Sequence, residues 1–155
     1  MVPAPRENAA LVRRFLTDVI AGGDIDAVDG FLAEAAVDHN LVFGADRDRG
    51  REAVTALGWR VLAAADIDLD IEAVVATDDL VAVRGTVAGT HRESLMDLAP
   101  TGRSFEIAYA WFFRIEEGRI VEIHSLPDGL GLMRQLGALP ELPSNGSFVE
   151  TTDYP

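Results

Sequence analysis

The stretch Thr101–Gly137, TGRSFEIAYAWFFRIEEGRIVEIHSLPDGLGLMRQLG, decides how the rest of the chain must fold. It reads as two long strands joined at Glu116-Glu117-Gly118, followed by a turn and a short helix. Strand side chains alternate between faces, so Phe105, Ile107, Tyr109, Trp111, Phe113 and Ile115 share one face. Six large apolar groups on one face must lie under helices or line a cavity. Ser104, Glu106, Ala108, Ala110, Phe112 and Arg114 make the other face, polar at its ends and small or apolar in the middle. The second strand, Arg119 to Leu126, places Val121, Ile123 and Ser125 on one side, with Ile120, Glu122, His124 and Leu126 on the other. Both faces of the hairpin are partly apolar, which predicts an inner face packed within the subunit and an outer face forming a homodimer.

Working back towards the start, residues 1–6 read as a loose leader. From Asn8, the residues Leu11, Val12, Phe15, Leu16, Val19 and Ile20 recur at helical spacing. Gly22-Gly23 ends that helix, and Asp24 caps a second, Ile25 to about Glu34, with Val28, Phe31 and Leu32 inward. The extended piece AVDHNLVFG holds Asp38, His39 and Asn40, and 46–50 is a charged turn. A third helix is expected over about 51–65, with Val54, Leu57, Val61 and Leu62 as its apolar set. Strands follow at about 68–76 and 80–90 around the turn Thr77-Asp78-Asp79. Gly129 to Leu139 closes the domain (residues 1–140), and 141–155 is a polar tail. Helices gathered against an antiparallel meander define an α+β domain. A sheet curled around the N-terminal helix leaves a pocket between them.

The 155 residues carry a formal charge of −13, with all 13 basic residues arginine. This acidity argues against nucleic-acid and anionic-membrane partners. It reflects either adaptation to high salt or biased codon usage on a soluble surface. No apolar run approaches the roughly 20 residues of a membrane span, and no secretory signal pattern is visible, so the cytoplasm is the expected compartment. With no cysteine, disulfides and thiolate chemistry are excluded. Phosphate-loop, dinucleotide, HExxH and nucleophile-elbow motifs are absent. Histidines at 39, 91 and 124 lack metal-ligand spacing, so no metal is expected.

What remains is a set of polar residues at positions patterned to face inward. His91 shares parity with Val81, Val83 and Val87, so it either shuttles a proton or is hydrogen-bonded at the sheet's rim. Asp38 and His39 are adjacent in an extended segment, so only one of them faces the pocket. In one reading His39 acts there as a base or donor, with Asp38 exposed. In the other, both satisfy nearby loop amides. Asp128, after Pro127 and before a helix, is placed as an N-cap, or as a reserve carboxylate if it turns inward. Ser125, Tyr109 and Trp111 line the cavity or, for the two aromatics, the core. His124, of opposite parity, lies outside or at an interface.

The segments AGGDIDAVDGFL, VDHN, VRGTVAGTH, LAPTGRSFEI and FFRIEEGRIVEIHSLPDGLGLMRQLGALP resemble the SnoaL-like polyketide cyclases over about Asn8 to Pro140. PDGLGLMRQLG and PTGRSFE are the most specific of these. The resemblance implies a cone-shaped α+β barrel shared with nuclear transport factor 2 and ketosteroid isomerase. It also implies cofactor-free acid–base chemistry, in which a pocket aspartate moves a proton during an aldol closure. That aspartate falls at Ser125, the family's pocket histidine falls at Trp111, and the histidine of GTH is kept as His91. The expectation is a cyclase or isomerase acting on a small apolar or polycyclic carbonyl compound. His39 or His91 would transfer the proton, and Asp38, Tyr109, Trp111, Phe113 and Ser125 would contact substrate. The alternative is a non-catalytic binding or dimerisation module of the same fold. An epoxide hydrolase would need an Asp–Arg–Asp arrangement, and Arg84 points away from the pocket.

Overall fold

The computed structural model describes residues 4–39, 48–49, 66–95 and 98–139. Its centre is the strand β5 (Ser104–Glu116), hydrogen-bonded on one side to β4 (Leu80–Thr90) and on the other to β6 (Arg119–Pro127). Outside β4 lies β3 (Asp68–Ala76). Outside β6 lie β1 (Leu32–Asp38) and the two-residue β2 (Asp48–Arg49), giving the order β2-β1-β6-β5-β4-β3. All neighbours are antiparallel except β1 and β6, which run parallel. The β5–β6 hairpin closes in two residues, Glu117 and Gly118, both at positive φ, the backbone a tight primed turn requires.

The inner face is the one the alternation predicts. Phe105, Ile107, Tyr109, Phe113 and Ile115 are buried, together with Val81, Val83 and Val87 of β4. Helix α1 (Pro5–Arg14) and its wider-turned π-helical continuation Phe15–Ala21 cover this face through Val12, Phe15, Leu16 and Val19. Phe15 meets Phe113 edge-on at 5.9 Å and Phe31 at the same distance. Asn8 ties the helix to the β3–β4 turn: its buried amide donates to the carbonyls of Thr77 and Asp78 at 3.1 and 3.0 Å. Helix α2 (Gly129–Gln135) continues along β5 where β6 has ended. There the Gln135 amide accepts from the Glu106 N–H and donates to its carbonyl, satisfying backbone groups that would otherwise be orphaned.

Several sequence expectations are corrected. The leader ends early, since α1 begins at Pro5. The second helix is only a 3₁₀ segment, Ile25–Gly30, capped by Asp24. Leu32 onward is strand, because parallel pairing with β6 overrides the helical propensity of its alanines and glutamate. A bulge where the register shifts between Arg114 and Ile115 pairs Ile115 with Ile120, so Ile120 is fully buried although parity placed it outside. The closing helix stops at Gln135. The expected third helix at 51–65, Asn40 and the tail at 141–155 fall outside the described residues. No helix among the described residues is long and apolar enough to cross a membrane.

At Gly85 the strands β3, β4 and β5 crowd together. A Cβ there would sit 1.9 Å from the Asp70 carbonyl oxygen and 2.7 Å from the Tyr109 hydroxyl. Gly85→Ala is therefore expected to cost about 3 kcal/mol, as overpacking does. Urea denaturation of the purified variant measures it, and an unchanged midpoint would contradict the packing described.

Candidate functional site

The adjacent pair Asp38 and His39 sorts itself by the sheet. Asp38 is in register with Ile123 of β6, and paired residues in a ladder present side chains to the same face. Ile123 is buried on the inner face, so Asp38 points inward: it is half-buried, and its Oδ1 is withdrawn from solvent. His39 follows with opposite parity. Its ring stacks on His124 at 4.3 Å and 11°, on the face away from the helices. The reading that sent His39 to the pocket and Asp38 to solvent is thus reversed, because pairing with β6 sets the parity of β1.

Asp38, Ile123, Phe113 and Val81 form one cross-strand row of the inner face; Ser125, Trp111 and Val83 form the next. Successive rows on one face are roughly 7 Å apart and adjacent strands about 5 Å, so Asp38, Ser125 and Trp111 share one corner. Ser125 is buried and Trp111 only partly so. Trp111 lies between Tyr109 (centroids 4.5 Å apart) and Phe113 (6.3 Å, edge-on). Phe113 itself is core, sealed under Phe15, and does not line a site. Tyr109 is likewise occupied: its hydroxyl donates to the Asp70 carbonyl at 2.9 Å.

His91 is buried but belongs to the other end of the sheet. It bonds through its backbone to Arg103, ten positions along β5 from Phe113, or roughly 30 Å on straight strands. Its Nδ1 accepts from the Thr101 N–H at 3.1 Å and lies 3.0 Å from the Thr101 hydroxyl. An accepting Nδ1 leaves the neutral ring's proton on Nε2, which is buried and has no hydrogen-bond partner among the described residues. The ring is therefore a donor towards the interior, placed past the Thr90–Ser104 end of the β4–β5 ladder, whereas Phe113 lies near its other end. Asp128 stays outside: it is exposed, caps α2 by accepting from the Gly131 N–H at 2.8 Å, and is no reserve carboxylate. Arg84 is exposed on the outer face, ion-paired with Glu72.

A groove of about 510 Å³ lies elsewhere, lined by Asp29, Leu32, Ala33, Glu34 and Arg119. The Arg119 guanidinium is committed to the carbonyls of Asp29 and Leu32 at 2.7 and 3.2 Å, and the side chains of Asp29 and Glu34 are exposed.

The family model of the SnoaL-like polyketide cyclases matches residues 10–136. Among solved structures, TsrD from Streptomyces laurentii is similar at 27% identity and a TM-score of 0.77, covering 88% of this chain and 99% of its own. IdmH from Streptomyces antibioticus, a proposed polyketide cyclase, is 28% identical with a TM-score of 0.71, covering 84% and 98%. A proposed SnoaL-like polyketide cyclase from Jannaschia sp. CCS1 has a TM-score of 0.80 at 17% identity, covering 90% and 98%, a likeness of fold. No curated protein matches.

Burial, reinforced by the carboxylates of Asp70 and then Glu72, pushes the Tyr109 hydroxyl up from 10.0 to about 12. A proton held more tightly in the folded state stabilises it fully below pH 10, and that contribution is lost as pH rises towards 12. Absorbance at 295 nm, compared between wild type and Tyr109→Phe, is expected to assign the late-titrating phenol to Tyr109. A Tyr109 transition centred near 10 would contradict this environment.

Proposed function

The chain belongs to the SnoaL-like polyketide cyclase family, and from that premise we propose a cofactor-free acid–base enzyme that enolises a small, largely apolar carbonyl compound. The observation that carries this reading is the inward carboxylate of Asp38, one row from Ser125 and Trp111. The position at which the resemblance expects an aspartate holds Ser125, which cannot serve as the base. Asp38 supplies a carboxylate from the neighbouring strand. In this reading it takes a proton from the carbon beside a carbonyl group. The Ser125 hydroxyl and the Trp111 indole N–H, both donors, hold the oxygen on which negative charge develops.

The resulting enolate has two outcomes. Attack on a second carbonyl of the same molecule closes a ring, as in an aldol cyclisation, with the acceptor's C=O π bond becoming an alkoxide that takes the proton back from Asp38; return of the proton to a different carbon gives an isomerisation. The apolar residues Ile123 and Val83 beside this corner suit an apolar, ring-bearing substrate. In this reading His39, on the outer face, Asp128, which caps α2, and His91, past the other end of the β4–β5 ladder, take no part in the proton transfer. IdmH, as a proposed polyketide cyclase, lends support to this substrate class.

Enolisation can be read without knowing the natural substrate. Exchange of α-hydrogens of a bicyclic β-keto ester in D₂O, followed by proton NMR, is expected to be accelerated by the wild-type protein. Asp38→Asn should lower the acceleration about a hundredfold or more. Equal rates for the two proteins would remove Asp38 as the base. No acceleration with any of a panel of cyclic ketones and keto esters would favour a binding module.

A further inference from the structure

We propose that His39, Glu122 and His124 form a surface site for a divalent transition-metal ion, zinc in the first instance, on the face of the sheet opposite the helices. The strand pattern builds it. Glu122 and His124 are two apart on β6 and so share a face, and the parallel register of Asp38 with Ile123 sets His39 beside His124. Their ligating atoms all lie within 4.8 Å of one another. Glu122 Oε2 is 3.9 Å from His39 Nε2 and 3.6 Å from His124 Nε2.

Zinc binds imidazole nitrogen and carboxylate oxygen at roughly 2.0–2.2 Å, so two donors on one tetrahedral ion stand about 3.4 Å apart. The two pairs that include Glu122, at 3.9 and 3.6 Å, need to close by only a few tenths of an ångström, and all three donors already lie within 4.8 Å of one another. All three are partly exposed, at 25%, 38% and 50% of the side chain for His39, Glu122 and His124, so they have room to do so. Two neutral nitrogens and one carboxylate are a donor set for zinc, nickel or copper and not for magnesium or calcium. Three protein ligands leave the remaining position to water.

Among the described residues, one competing cation faces the site. Arg114 Nε is 3.6 Å from Glu122 Oε2, but its Nη1 also lies 3.7 Å from Asp79 Oδ2, which can hold the guanidinium when a metal takes Glu122. The chain's formal charge of −13 favours approach of a cation.

Titration of the full chain with zinc against a chromophoric chelator at neutral pH tests the proposal, and cobalt provides a spectrum in the visible. One equivalent is expected to bind, with cobalt giving d–d absorption. His39→Gln and His124→Gln are each expected to weaken zinc binding at least about tenfold, and the double variant to lose the cobalt absorption. Far-UV circular dichroism establishes that the variants are folded, and Glu122→Gln, which keeps the shape of the third ligand, should weaken binding as well. Binding that survives both histidine substitutions, that millimolar magnesium displaces, or that never saturates would overturn the site and assign the ions to the acidic surface.

Discussion

A strand hydrogen-bonded on both edges cannot slip by one residue without turning its whole inner face to water, and everything in this structure hangs on β5 being such a strand. Its inner side chains each stabilise by roughly 1.5–3 kcal/mol when buried, so a slip would forfeit on the order of 10 kcal/mol. That is comparable with the whole stability of a domain. Register passes from β5 to β6 and from β6 to β1, with one irregularity between Arg114 and Ile115 that accommodates Ile120 and another between Leu32 and Val37 of β1. The position of one carboxylate at the end of β1 is therefore set by packing several strands away.

The two faces that result have different chemistry. Inside, helix α1 and its π-helical continuation seal most of the sheet. Asp38, Ser125 and Trp111 are left as polar groups against buried apolar rows. Outside, the residues of opposite parity, His39, Glu122 and His124, gather within reach of one another. A single register thus separates a proton-transfer corner from a metal-binding cluster, although Asp38 and His39 are neighbours in sequence. A one-residue change in β1 would exchange them.

The alternation of β3 to β6 was legible because it is local: strands at 68–76 and 80–90, the hairpin turn and the inward parity of Phe105 to Ile115 can be read without knowing any partner. So could the apolar stripe of the first helix and the cap at Asp128. Long-range pairing was not. LAEAAVD carries helix-forming residues, and its long-range ladders, chiefly the parallel one with β6, make it a strand. The same ladder decided between Asp38 and His39, a choice that alternation alone left open. The bulge that turned Ile120 inward has no local signature either. His91 had the right parity, yet a shared face says nothing about position along it, and it follows the Thr90–Ser104 end of the β4–β5 ladder, away from the Phe113 row. His39 and His124 are 85 positions apart in the chain, and only the sheet brings them to Glu122.

The parity of β1 is the central claim, and a chain without cysteine offers a direct measurement of it. Thiol labelling with Ellman's reagent, under native conditions, reads the exposure of a single introduced cysteine in the Asp38→Cys and His39→Cys variants. The account predicts that the thiol at position 39 reacts at least about tenfold faster than the thiol at position 38, with equal rates in denaturant. Faster labelling at 38 would place His39 inside, and the assignment of both faces would be wrong.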